Sequence, residues 1–253
     1  MVHLELEGKV ALVTGGTRGI GRAIALKLAE QGAQLILNYF RNRKAAEATA
    51  AEIFAVSGKA PLIIKANVGD PEKVKALFAE IHAHYDHLDI LVSNAASGVL
   101  KPVLELTPRH LQWCLEINAY ALVYLAQGAV PMMTSGGKII ALSSAGSTHA
   151  IPNYAAVGAS KAALESIVRH LSAELASQGI QVNTLSAGVV DTDALSHFPN
   201  REALLDSSAK DTPAGRLTLP EDVADVALFL CSRLSDMVQG QTLVVDGGYS
   251  ALS

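Results

Sequence analysis

The sequence predicts an α/β fold in which one doubly wound, seven-stranded parallel sheet is flanked by helices on both faces. Three observations carry that prediction. Short apolar runs alternate with helix-like segments from end to end. The runs are continuously apolar, as strands buried on both faces require. The first run leads through a glycine-rich turn into an amphipathic helix, which is how a doubly wound sheet begins. With 253 residues, 50% of them hydrophobic and 17% charged, the chain has material for one large core. Residues 1–253 read as a single domain, since no repeat, low-complexity stretch or Gly/Ser linker divides them.

In order, strands are predicted at Val10–Val13, Leu35–Leu37, Leu62–Ile64, Ile90–Val92, Lys138–Leu142, Val182–Leu185 and Thr242–Val245, all seven of them buried. Helices are predicted over Arg22–Gln31 and Lys44–Val56, with Gly32 and Gly58 at the C′ positions that favour glycine. Asp70-Pro71 and Thr107-Pro108 each place a capping side chain before a proline at the first helical position. Longer helical segments are expected around Leu111–Met133 and Ala155–Gln178. Roughly thirty residues, about 188–219, separate the sixth strand from the last helix, longer than an ordinary connection. Leu195, Phe198, Leu204 and Leu205 suit that segment to a lid packed over a substrate pocket.

Composition narrows the function. The net charge of −4 and pI near 6.1 supply no basic field for nucleic acid. Cys114 and Cys231 stand alone without metal-ligand spacing, as small buried hydrophobes of a reducing compartment do. The apolar stretch Ala119–Met133 is interrupted by Gln127 and Pro131 and falls short of the roughly 20 residues that span a bilayer. The amino terminus has no basic region followed by an apolar core. A cytoplasmic protein is expected, with no nucleic-acid partner, no membrane partner and no metal.

The turn Thr14-Gly15-Gly16-Thr17-Arg18-Gly19-Ile20-Gly21 follows the first strand and opens the first helix. Residues without a Cβ let the backbone close on a pyrophosphate, whose charge rests on the N–H groups of the helix N-terminus. Past the second strand no carboxylate appears before Glu47, so the grip on a ribose 2′-hydroxyl is missing. Arg18 and Arg41 suit a 2′-phosphate instead. Cations at a helix start (Arg41, Arg43, Lys44) oppose the macrodipole unless they meet an anion. NADPH is the expected cofactor.

Further stretches carry a resemblance. Asn94-Ala95-Ala96 follows the fourth strand, Asn118 lies in Glu116-Ile117-Asn118-Ala119, Ser143-Ser144 ends the fifth strand, and Gly240–Gly248 spans the last predicted strand. With the glycine turn, they make the sequence resemble the short-chain dehydrogenase/reductase family over essentially its whole length. The resemblance implies a Rossmann-type sheet and a set of cofactor contacts. Those are Gly15, Thr17, Arg18, Gly19, Ile20 and Gly21 in the turn, then Asn38, Tyr39 and Arg41. Asn67 and Val68 fall at the adenine, Asn94, Ala95 and Ala96 on the adenosine side, Lys161 at the ribose, and Gly188, Val190 and Thr192 after the sixth strand. Asn67 stands where many members carry aspartate. A homo-oligomer, specifically a tetramer built through the two long helical segments, is also implied.

Members of the family commonly carry a tyrosine four residues before the catalytic lysine. Here that position is Val157, and the tyrosine is Tyr154, seven residues before Lys161. On a helix, offsets of four and seven return to nearly the same face, about 4.5 Å apart along the axis. A ketone reductase needs its acid on the oxygen of the carbon that receives hydride. An enoyl thioester receives hydride at the β-carbon, while negative charge gathers on an oxygen two carbons away. The displaced tyrosine fits the second chemistry. This spacing, the intact glycine turn and the stretches Asn94–Leu100 and Asp191–Arg201 resemble the type III, NADPH-dependent enoyl-[acyl-carrier-protein] reductases of bacterial fatty-acid elongation.

That resemblance implies hydride transfer to the β-carbon of a trans-2-enoyl thioester, with Tyr154 stabilising the enolate and Lys161 lowering the tyrosine pKa. Ser144 and Asn118 complete the implied catalytic set. Ser144 reads equally as a strand-end hydroxyl, and Asn118 either holds a water through its backbone or is a helix-interior residue. Leu100, Leu195 and Phe198 would face the substrate together with Tyr154. The implied partner is acyl carrier protein bearing the enoyl chain, met by Arg201, Lys210 and Arg216. A carbonyl reductase of the same family and a non-catalytic dinucleotide-binding sensor are the alternatives.

Overall fold

The computed structural model describes residues 6–192 and 201–252. Seven parallel strands form one sheet in the order β3-β2-β1-β4-β5-β6-β7. They are β1 (Val10–Thr14), β2 (Gln34–Tyr39), β3 (Leu62–Lys65), β4 (Ile90–Ser93), β5 (Gly137–Ser144), β6 (Ile180–Ala187) and β7 (Thr242–Val245). The eight α-helices described are α1 (Gly19–Glu30), α2 (Arg43–Ser57), α3 (Pro71–His82), α4 (Pro108–Leu115), α5 (Ala121–Ala129), α6 (Ala155–Leu175), α7 (Arg201–Asp211) and α8 (Pro220–Cys231). One core joins β1, β4 and β5 to α3, α5 and α6, through Leu12, Leu91, Ile81, Leu125 and Leu164. The other lies across the sheet against α1 and α8, through Val13, Ile24, Leu28, Leu185 and Val223. The strand order turns back between β1 and β4, and a cleft opens there at the carboxyl ends, where this topology places ligands.

The punctuation acts as the sequence indicates. Gly58 takes a left-handed conformation (φ 70°) to end α2, and the Asp70 side chain accepts from the N–H groups of Glu72 and Lys73 to start α3. Thr107 caps α4 by accepting from His110 N–H.

Four expectations change. α1 begins at Gly19, inside the glycine turn rather than at Arg22, which brings its N-terminus to the cleft. The two edge strands are not buried as expected: Thr242 and Val244 of β7 are exposed, and in β3 Leu62 and Ile63 are only partly buried. The segment expected as one helix around Leu111–Met133 is divided by a π-helical turn at Glu116–Tyr120. Tyr154 is not within α6 but at its N-cap (φ −104°, ψ 5°), directly after Asn153 in the left-handed region (φ 62°). The segment 188–219, expected as a lid, contains α7 and a bridge between Val190 and Thr218. Leu195 and Phe198 lie outside the described residues. No helix among the described residues is long and apolar enough to cross a membrane.

Candidate active site

A cleft of about 1500 Å³ runs along the carboxyl edge of the sheet. It brings together Gly15, Thr17, Arg18, Gly19, Ile20, Gly21, Asn38, Tyr39, Arg41, Asn67, Val68, Asn94, Ala95, Ala96, Leu100, Ser144, Tyr154, Lys161, Gly188, Val190 and Thr192. Asn118 is the exception among the described site residues, buried behind the wall.

The nucleotide end is built on the glycine turn. No side chain caps α1 and no acidic residue stands in its first turn, so the helix N-terminus is suited to an anion. Asn94 braces the turn by donating from Nδ2 to the carbonyls of Thr14 (2.9 Å) and Gly15 (3.2 Å). A Cβ on Gly21 would come within 2.5 Å of the Gly15 carbonyl and collide with that same Asn94 amide. These glycines leave a cradle that side chains would fill, and the site fits a dinucleotide. Asn94 therefore shapes the turn rather than only bordering the adenosine. Asn38 is likewise committed: it is buried, and its amide donates to the carbonyls of Ala66 (3.1 Å) and Ile64 (3.4 Å), tying β2 to the end of β3. Arg41 is exposed and stacks on Phe40, 5.6 Å from the ring centre. Arg43 instead pairs with Glu47 at 2.8 Å, which removes it from the cations needing an anion.

The reactive end is organised by three consecutive residues of β5. The Leu142 carbonyl accepts from Lys161 Nζ at 2.6 Å, Ser143 Oγ donates to Glu165 Oε1 at 2.5 Å, and Ser144 Oγ lies 3.3 Å from the Tyr154 hydroxyl. Burial pulls the Lys161 ammonium down to about 8, opposed by the charge of Glu165. Burial also pushes the Tyr154 hydroxyl above its ordinary value, with the Ser144 contact opposing. The expected lowering of the tyrosine by Lys161 is not found; desolvation dominates.

Val157, one turn into α6, packs on Gly98, whose Cβ would meet Val157 Cγ2 at 2.5 Å. Gly146 makes room for the Tyr154 ring, since a Cβ there would lie 2.5 Å from Cδ1. The Asn118 side chain accepts from Ser97 N–H (2.9 Å) and donates to the Ser97 carbonyl (2.8 Å) and Ser160 Oγ (2.9 Å). It thereby sews the β4 loop to α6 from the π-helical turn, a kind of irregularity common at functional sites. Sequence reasoning missed Ser143 and Glu165 as a pair. Their signal was a lone carboxylate four residues after Lys161, on the lysine's own helical face.

A phosphate cradle joined to a buried lysine and a tyrosine hydroxyl defines a nicotinamide-dependent oxidoreductase. Residues 15–250 match the family model described as "Enoyl-(Acyl carrier protein) reductase". The chain belongs to the short-chain dehydrogenase/reductase family. It is 40% identical over 247 residues to the 1-cyclohexenylcarbonyl-CoA reductase of Streptomyces collinus, covering 97% of this chain and 88% of the relative. It is 36% identical over 254 residues to versicolorin reductase 1 of Aspergillus parasiticus, covering 96% and 97%. A gluconate 5-dehydrogenase from Burkholderia cenocepacia, solved with NADP and tartrate, superposes with a TM-score of 0.90 at 34% identity over 98% of each chain. The protein is thus an NAD(P)-dependent reductase of this family.

Proposed function

We propose that the protein reduces the conjugated double bond of a trans-2-enoyl thioester with NADPH, the step of fatty-acid elongation in which acyl carrier protein bears the chain. The observation that carries this reading is the place of the hydroxyl. It belongs to Tyr154 at the N-cap of α6, while Val157 occupies the helical turn toward Lys161. An acid set back from the lysine suits charge developing on a thioester oxygen rather than on an oxygen borne by the carbon that accepts hydride. The Streptomyces relative, whose name places a cyclohexenyl group beside a thioester carbonyl, supports the same chemistry.

A bound nicotinamide would supply hydride to the β-carbon, with a proton from solvent completing the reduction at the α-carbon. Tyr154 donates its hydroxyl proton as a hydrogen bond to the thioester carbonyl and stabilises the enolate oxygen. Burial keeps that hydroxyl protonated, and Ser144 orients it. Lys161 would hold the nicotinamide ribose, and Leu100 borders the acyl chain. Arg18 and Arg41 at the open end would meet the 2′-phosphate that distinguishes NADPH. Of the three cations expected to receive a carrier protein, Arg201 pairs with Asp191 and Arg216 with Asp222. Lys210 of α7 is the remaining candidate. We place the working protein in a homotetramer, as the family resemblance implies.

The contact between Ser144 and Tyr154 and the versicolorin reductase likeness favour carbonyl reduction as the second reading. NADPH absorbance followed with crotonyl and acetoacetyl thioesters, each on coenzyme A and on acyl carrier protein, separates the two. Oxidation with crotonyl thioesters that is lost in Tyr154→Phe is the expected result. Oxidation with the keto substrate alone would overturn the proposal.

A further inference from the structure

Lys161 is 6% exposed and Glu165, one helical turn further along α6, is 8% exposed. Two buried charges at an i, i+4 spacing face one another on a helix. Each is also held by β5: Lys161 through the Leu142 carbonyl at 2.6 Å, Glu165 through the Ser143 hydroxyl at 2.5 Å. A buried carboxylate is costly unless it is paired.

We propose that Glu165 is a positioning residue acting through Lys161: gripped by Ser143, its carboxylate keeps the buried ammonium charged and so sets the upper pH limit of the reaction. The surroundings leave it that role. β6 and the turn Ala145–Ser147, both packed on α6, carry no ionisable side chain. β5 carries Lys138 at its far end, α4 carries Arg109, His110 and Cys114, the π-helical turn Glu116 and Tyr120, and α5 Tyr124. α6 itself carries Tyr154 at its start and, beyond Glu165, Arg169, His170 and Glu174, all three exposed. Among them all, Glu165 is the charge that acts on Lys161, raising its affinity for the proton against the effect of burial.

The inference rests on Lys161 serving the reduction proposed above, and its test first reads the lysine without any substrate. Competitive acetylation of the cofactor-free protein across pH, with Lys161 followed by peptide mass spectrometry, gives the lysine's own midpoint. A wild-type midpoint near 8 is expected. Glu165→Gln keeps the shape and the Ser143 bond, and lowers the midpoint by about one unit. Glu165→Asp, which keeps the charge, restores it. Ser143→Ala frees the carboxylate from the bond that positions it and lowers the midpoint, by less than Glu165→Gln does. In NADPH oxidation with crotonyl thioester, Glu165→Gln then loses about tenfold in kcat/KM at pH 9 and little at pH 6, a pattern that mere loosening of the fold would not produce. If the substrate reading fails, crotonyl thioester is inert in every variant but the acetylation midpoints still move. A folded Glu165→Gln with an unchanged midpoint overturns the inference. Should that variant not fold, Ser143→Ala decides, and a midpoint that does not fall overturns it.

Discussion

Ser144 Oγ lies 3.3 Å from the Tyr154 hydroxyl, joining the end of β5 to the N-cap of α6. The contact makes the tyrosine part of the sheet's carboxyl edge rather than of the helix. In the proposed reaction its hydroxyl is the donor to the developing oxyanion. Tyr154→Phe is therefore expected to lower kcat by about 10²–10³, the usual cost of removing one such donor, with NADPH affinity unchanged. Steady-state kinetics and a fluorescence titration of NADPH check both halves. Ser144→Ala, which removes only the orienting partner, should cost less than Tyr154→Phe in the same assay.

The stability of the protein should carry the mark of Lys161. Its ammonium is pulled from 10.5 to about 8 by burial, a shift that corresponds to a penalty of about 3 kcal/mol. The sign follows from the depressed value. Below pH 8 both folded and unfolded chains hold the proton and the penalty is complete. As pH rises from 8 to 10.5 the folded chain releases it first, and the penalty fades. Lys161→Met should raise Tm at pH 7, at about 2–4 °C per kcal/mol recovered, while abolishing reduction. Calorimetry at pH 7 and pH 10 should show the gain shrinking at the higher pH.

Cofactor choice is expected to rest on the cations at the open end of the cleft. Arg41 is exposed above Phe40 and has no carboxylate partner among the described ion pairs. Arg41→Asp would replace a charge-assisted bond to a 2′-phosphate with repulsion, and the NADPH-to-NADH ratio of kcat/KM should fall about 10–100-fold. A ratio that stays put would place the discrimination elsewhere, and Arg18→Ala is the companion measurement.

Much of this arrangement is legible in the sequence, because it follows from local chemistry. Continuous apolar runs give the strands, Asp70 and Thr107 give helix starts, and glycines at 15, 19 and 21 give the cradle. What is hidden depends on contacts between distant segments. Asn38 and Asn94 line the cleft, and both also spend their amides on backbone carbonyls that no spacing rule relates to them. Tyr154 reads as helical because Lys161 is, but Asn153 bends the chain between the two regimes. Ser143 and Glu165 are 22 residues apart and meet only when β5 and α6 pack.

Gly146 and Gly158 should be intolerant of side chains for a reason that concerns the tyrosine. A Cβ on Gly158 would lie 2.5 Å from the Gly146 carbonyl oxygen, and one on Gly146 would lie 2.5 Å from Tyr154 Cδ1. The turn Ala145–Ser147 thus rests directly on α6 and seats the ring. Gly158→Ala meets rigid backbone and should destabilise the fold by about 1–3 kcal/mol. Gly146→Ala meets a ring that can shift, and should lower kcat more than it lowers Tm. Thermal scans beside steady-state kinetics distinguish the two outcomes.

Asn153 offers the sharpest check on how Tyr154 is placed. It is the one described non-glycine residue with positive φ (62°), and its carbonyl accepts from Lys101 N–H at 2.9 Å, tying the β4 loop to the residue before the tyrosine. Asparagine visits this conformation readily, whereas a β-branched residue is strained there by about 1–2 kcal/mol or more. Asn153→Gly should keep both stability and turnover, since glycine adopts the same dihedral at no steric cost. Asn153→Val should lose stability by that strain. It should also lose kcat, because relaxing φ moves the N-cap on which the hydroxyl depends. If the valine variant loses stability but keeps the wild-type kcat with crotonyl thioester, Tyr154 is held by Ser144 and Gly146 alone, and the turn before it serves only the fold.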